Sequence, residues 1–250
     1  MPLAWDLYEN IKKAAKYGYA GLEVHGRETV EYNYDEIEKI SKDCGAGIAT
    51  IVTGRLYTEG KKGLLDEDPA EALAGVKKYI DIARCFKAEL IVGWVKGVIP
   101  PGGDRQKYLE KLGPQLRLVN DYAADRGIKI SVEVINRYET NIFNTAQETL
   151  DFINTWSLDN TYVHLDTFHM NIEESDPFKA IRLCGKKLGY FHVSDNTRRY
   201  PGSGQLDFKR ILSTLKEVDY SGYVSLECLP LPDRDTAAAK AMEHLKKCES

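Results

Sequence analysis

The 250-residue chain predicts an α/β fold, a (β/α)8 TIM-type barrel lacking strand 1, and three observations carry that prediction. Short apolar, β-branched segments alternate with longer helical patterns along the whole chain, the signature of βα units and a parallel sheet. Seven strand segments and eight helical ones are legible, more than the roughly five or six strands of an open doubly wound sheet. The length suits one such barrel. No low-complexity linker divides the chain, so residues 1–250 read as a single domain.

The strand segments are 21–25, 48–53, 90–95, 130–135, 162–167, 189–194 and 223–228. Helix punctuation separates them. Asp6 with Glu9 makes a capping-box pattern, and Gly18 stands where the first helix should stop. Asp68-Pro69 and Asp176-Pro177 each place an acidic N-cap before a proline at the first helical position. Gly45, Gly127 and Gly185 read as C-terminal caps, Thr145 with Glu148 as a second capping box, and Asp235 as the opening of the last helix. The pattern starts on a helix, and the five residues before Asp6 are too few for a strand and its loop, so strand 1 is expected to be absent.

Composition narrows the function classes. A formal net charge of −4 opposes a non-specific grip on nucleic acid or an anionic membrane. The longest apolar runs are strand-sized, too short to span a bilayer. The opening MPLAWDLYEN lacks the basic and apolar regions of a secretion signal. Cys44, Cys85, Cys184, Cys228 and Cys248 are scattered, odd in number and free of CxxC spacing, which reads as reduced thiols in a cytoplasmic protein. No Walker or GxGxxG pattern implies a nucleotide cofactor.

The last four strand segments each end in a metal ligand or acid–base group: Glu133, Asp166, His192 and Glu227, spaced 33, 26 and 35 residues apart. Side chains on a strand alternate faces. Glu133 opposes Val132 and Val134, Asp166 with His164 opposes Val163 and Leu165, His192 opposes Phe191 and Val193, and Glu227 opposes Val224 and Leu226. Since the aliphatic face packs on the helices, all four groups face the barrel axis near the strand C-termini, where barrel active sites form. One inward acid is often a structural hydrogen-bonder, and a lone strand histidine is more often a core residue than a ligand. Four on consecutive strands at one parity are different. Three carboxylates cannot converge in a partly desolvated pocket without a counter-charge. A divalent cation supplies it, and this donor set suits Mn²⁺, Mg²⁺, Co²⁺ or Fe²⁺ better than closed tetrahedral zinc.

The segments EVINRYE (133–139), LDTFHMNIEE (165–174), FHVSDNTRRYPGSGQLDF (191–208) and VSLECLPLP (224–232) resemble the D-tagatose/D-psicose (allulose) 3-epimerase family of the xylose-isomerase-like barrels, with weaker similarity at KYGYAGLEV (16–24). DTFHMNIEE is the most specific of these, and the resemblance spans nearly the whole chain. It implies one metal ion, Mn²⁺ before Mg²⁺ or Co²⁺, held by Glu133, Asp166, His192 and Glu227. It implies Glu133 and Glu227 as the acid–base pair, and Glu139, His169 and Arg198 as the residues that hold a ketose near O1, O2 and O3. Family members begin with a strand that has no counterpart here.

The expected reaction is C3 epimerisation of a free ketose through an enediolate, one glutamate removing the C3 proton and the other returning a proton to the opposite face. The alternatives are another isomerase of the superfamily, of hydroxypyruvate or inosose type, or a non-catalytic metal-bearing sugar-binding protein. A trinuclear-zinc DNA-repair endonuclease on this barrel needs many histidines, and the chain has five. The glycine-rich stretches 54–63 and 97–105 follow strand segments and read equally as substrate-covering loops or plain connections. The remaining expectations are a small-molecule ketose partner, no nucleic acid, no membrane, and a surface compatible with a homo-oligomer.

Overall fold

In a computed structural model of the chain, residues 7–26 and 32–249 are described. The chain divides into two compact units, Met1–Ile130 and Ser131–Ser250. The expected capping box at Asp6 and the question of a strand ahead of the first helix fall on residues 1–6, outside the described residues.

The first unit runs α1 (Leu7–Lys16), β1 (Gly21–His25), α2 (Tyr34–Cys44), β2 (Gly47–Val52), α3 (Gly54–Thr58), α4 (Ala70–Phe86), β3 (Glu89–Val92) and α5 (Arg105–Ala124). β1 pairs parallel with β2 from Gly21 opposite Gly47, and β2 with β3 from Thr50 opposite Glu89. Val76, Tyr79, Ile80 and Ala83 of α4 are fully or almost fully buried, as are Ile51, Leu90, Ile91 and Val92 on the strands. Each such aliphatic side chain contributes roughly 1.5–3 kcal/mol to folding. Helix ends follow the sequence cues: Gly45 takes a left-handed φ of 70° as the C-cap of α2, a conformation glycine adopts without strain.

The second unit begins within β4 (Ile130–Glu133) and continues α6 (Ala146–Thr155), β5 (Thr161–Asp166), α7 (Thr167–Glu173), α8 (Pro177–Cys184), β6 (Leu188–Val193), α9 (Phe208–Glu217), β7 (Val224–Leu226) and α10 (Arg234–Glu249). Val134 N donates to His164 O, joining the end of β4 to β5. β5 pairs parallel with β6, setting Asp166 opposite His192, and β6 pairs parallel with β7, setting His192 opposite Ser225. Val132, Val134, Val163, Leu165, Phe191 and Val193 are buried, as the alternation requires. Gly189 lies so close to the Ser131 hydroxyl and Tyr162 that a Cβ there would collide with both.

Seven strands are thus present among the described residues, in the expected places and with small shifts. The segment expected at 90–95 closes at Val92, because Trp94–Lys96 turn into a 3-10 helix flanked by Gly93 and Gly97. Eight of the ten α-helices among the described residues coincide with the helical patterns in the sequence. The two added ones, α3 and α7, are only 5 and 7 residues long and start within two residues of a strand end, in stretches that carry no helical period of their own. Three caps shift by a residue or two, the first being that of α5, which closes on Asp125, two residues before Gly127. The residue before α4 is Pro69, with Asp68 accepting from Ala70 N at 3.0 Å. At α10 it is Asp233, two residues ahead of Asp235, that accepts from Thr236 N at 2.8 Å. Asp235 lies in the first turn, past the position that can receive the free N–H groups.

Half of the expected capping box at α6 is present: Thr145 Oγ1 accepts from Glu148 N at 3.2 Å. The Glu148 carboxylate reaches past it to Phe143 N and Asn144 N, at 3.1 and 3.0 Å. Among the described residues, no helix is long and apolar enough to cross a membrane. Thr145→Ala should cost about 1 kcal/mol and lower the thermal midpoint by about 2–4 °C, with Thr145→Ser restoring most of it. Thermal unfolding followed by circular dichroism checks this; an unchanged midpoint would show that the cap carries no stability.

Candidate functional site

The second unit gathers its four inward donors at one end of its strands. Glu133 closes β4, Asp166 closes β5, His192 is the penultimate residue of β6, and Glu227 follows β7 directly. Ligand atoms from all four lie within 4.8 Å of one another. Glu133, Asp166 and His192 are 7%, 0% and 2% exposed, whereas the Glu227 side chain keeps 42% of its surface open. The cluster is therefore mostly buried, with Glu227 its open member.

Each member is fixed by its neighbours. Asp166 divides its two oxygens between two tasks. Oδ1 caps α7 by accepting from Phe168 N at 2.7 Å, and Oδ2 faces His192 Nδ1 at 3.7 Å and the Arg198 guanidinium. His192 Nδ1 also lies 2.9 Å from Glu227 Oε2. The ends of β5 and β6 are tied together by Thr167, whose hydroxyl donates to Ser194 O at 2.6 Å and accepts from Ser194 N at 2.9 Å.

Arg198 supplies the positive charge. Its Nη1 donates to Asp166 Oδ2 and to Ser194 Oγ, and its Nη2 donates to Glu227 Oε2. Its guanidinium also stands 4.9 Å from the centre of the Phe168 ring. Burial pushes the Asp166 carboxyl up, but Arg198 beside it, helped by His192 and His169, outweighs this and holds it well below the usual carboxylate range. Burial in turn opposes the charge on Arg198, yet Asp166 and Glu227 raise its pKa further above its ordinary value. Both groups are ionised at neutral pH.

The loop that aims Arg198 is organised by Asp195, a fully buried residue absent from the sequence-level site. Its carboxylate accepts from the backbone N–H groups of Asn196, Gly202, Gly204 and Leu206, at 2.8–3.2 Å. Its main chain exchanges bonds with Arg198 and Arg199, holding Arg198 at a left-handed φ of 59°. Leu229 N donates to Arg198 O at 2.7 Å, which fastens this loop to the segment after Glu227.

His169 and Glu139 meet the cluster through a second residue the sequence did not single out, Asn136. Tyr138 N donates to Asn136 Oδ1 at 3.0 Å, which fixes which side of the amide is the NH₂. That NH₂ donates to Glu139 Oε1 at 2.8 Å and to His169 Nδ1 at 2.7 Å. Burial lowers the His169 pKa, so the ring is neutral, and an acceptor at Nδ1 puts its proton on Nε2. Nε2 lies 3.8 Å from Glu133 Oε1. All seven residues expected at the site are therefore in this unit, four in the donor cluster and three around it. His164, noted in the sequence only for its parity, is completely buried beside His192, and the alternation pattern was the one signal for it.

The chemistry of the donor set fits a divalent cation. Three carboxylates and an imidazole carry more negative charge than Arg198 alone balances, and Glu227 keeps one side open for exchangeable oxygens.

Relatives of the chain share this architecture. It is 42% identical to the L-ribulose 3-epimerase of Mesorhizobium japonicum over 228 residues, 89% of this chain and 75% of the relative. It is 35% identical to the D-psicose 3-epimerase of Agrobacterium fabrum, over 87% of this chain and 77% of the relative. A solved structure of the D-allulose 3-epimerase from Methylomonas sp. in complex with D-allulose superposes with a TM-score of 0.84 at 28% identity, covering 98% of this chain and 92% of that one. The family model described as xylose isomerase-like TIM barrel matches residues 11–248, and the chain belongs to that family.

Proposed function

We propose that the chain is a divalent-metal-dependent sugar epimerase that inverts C3 of a free ketose, with Glu133 and Glu227 as its acid–base pair. The observation that carries this is the meeting of two glutamates, from β4 and from the end of β7, in one cluster with Asp166 and His192. A protein that only bound sugar would need no second base there. The similarity to ketose 3-epimerases supports the substrate class. Glu133, Asp166, His192 and Glu227 would hold the cation, Mn²⁺ before Mg²⁺ or Co²⁺. A single domain over residues 1–250 and a cytoplasmic location go with this reading.

When bound, the cation supplies Lewis-acid charge at the ketone oxygen. The protein's own groups do the rest. Arg198 reaches the same end of the strands with a part-buried guanidinium suited to hydroxyl and carbonyl oxygens, 4.9 Å from the centre of the Phe168 ring. His169, neutral and protonated on Nε2, donates toward the substrate side rather than accepting. Asn136 holds both His169 and Glu139 in place. Glu227 is the more exposed of the two glutamates and Glu133 the more enclosed. For inversion at C3 one would take its proton and the other deliver one to the opposite face. Proton-transfer groups of this kind contribute about 10²–10⁴ each in rate.

Glu133→Gln and Glu227→Gln should each lower kcat by at least about 100-fold in an assay of D-fructose and D-allulose interconversion, since glutamine keeps the shape but not the base. Arg198→Ala should act mainly by raising KM, by about tenfold. Wild-type turnover in both glutamine variants would contradict the two-base mechanism. Metal analysis of the purified protein should find about one divalent ion per chain; three zinc ions per chain, or none after reconstitution, would overturn the reading.

A further inference from the structure

We infer that the second unit holds a deeper cation position, made by Glu133, His164 and His192, that takes a borderline transition metal such as Zn²⁺ in preference to Mn²⁺ or Mg²⁺. It rests on the proposed four-donor centre, with which it shares Glu133 and His192.

His164 precedes Asp166 by two residues on β5, so it shares that face and lies about 6–7 Å nearer the strand start. The register places it opposite Tyr190, one layer below the Asp166–His192 pair. Its ring meets the His192 ring edge-on, with centroids 4.1 Å apart and planes at 84°, and meets Tyr190 the same way at 5.4 Å. Ligand atoms of Glu133, His164 and His192 lie within 4.8 Å of one another, and the three residues are 7%, 0% and 2% exposed. Glu133 lies beside both positions, and Val134, the residue just past β4, donates its N–H to His164 O on β5.

The donor sets differ in kind. Two imidazoles and one carboxylate form the ligand set of many zinc centres, whereas three carboxylates and one imidazole suit harder ions. Arg198 already bridges Asp166 and Glu227, the two members that the deeper set leaves out. His192 can serve either set with a different nitrogen. Nδ1 faces Asp166 and Glu227, at 3.7 and 2.9 Å. With Nδ1–H donated to Glu227, the ring presents Nε2 as its donor, the carboxylate–histidine–metal arrangement that raises ligand basicity. Zn²⁺ in the deeper position draws on Glu133 and His192, the two residues it shares with the upper centre.

Calorimetric titration of the metal-stripped full chain with MnCl₂ or ZnCl₂, without sugar, tests this on the wild type, His164→Gln and Asp166→Asn. His164→Gln should weaken Zn²⁺ at least about tenfold and leave Mn²⁺ within about twofold, while Asp166→Asn should do the reverse. Zinc X-ray absorption of the wild type should count two imidazole ligands, a readout that survives if a variant fails to fold. One imidazole on zinc, or parallel losses of both metals in both variants, overturns the deeper position and leaves the four-donor centre standing. Zinc bound by two imidazoles with no Mn²⁺ binding at all supports the deeper position and overturns the four-donor centre instead.

Discussion

Glu133, Asp166, His192 and Glu227 bring three carboxylates and an imidazole together with donor atoms within 4.8 Å, most of them shielded from water. Charges so placed repel one another by several kcal/mol unless a cation balances them, and the surrounding structure answers that demand. Arg198 bridges two of the acids, Asp166 spends one oxygen on a helix N-terminus, and His192 leans on Glu227. Removing any of these partners would leave buried like charge uncompensated.

The constraint reaches well beyond the donors. An arginine aimed at two acids needs a rigid mount, and the loop from Asp195 to Leu206 provides one through four backbone N–H groups converging on a single buried carboxylate. Gly204 packs so closely on Asp195 and Asn196 that a side chain there would collide with them. On the other flank, Asn136 orders His169 and Glu139 through one amide whose orientation Tyr138 N fixes. The site is thus held by groups that do not touch the reacting atoms.

Strand parity made much of this readable from the sequence. A residue that opposes two aliphatic neighbours on a buried strand must face inward, and Glu133, Asp166 and His192 obey that rule. The strands themselves were legible for the same reason, as were Thr145, Asp176 and Gly45 at helix ends. What stayed hidden depends on folding back in space. Asp195 earns its role through N–H groups up to eleven residues ahead of it, which no local pattern announces. Asn136 acts on His169, 33 residues away. The short helix α3 carries no side-chain cap and α7 only that of Asp166, and both are set by strand-end geometry rather than by any period. β7 also proved shorter than its apolar pattern suggested, which puts Glu227 just past the strand and explains its openness.

The central claim is that Glu133 and Glu227 exchange a proton at C3 of a ketose under the charge of a bound cation. Incubating the Mn²⁺-loaded protein with D-fructose or D-allulose in D₂O and reading the sugar by NMR tests it directly. Deuterium should enter at C3 of both epimers and nowhere else, in step with their interconversion. Deuterium at C1 or C4, or epimers formed with no label at C3, would contradict the account.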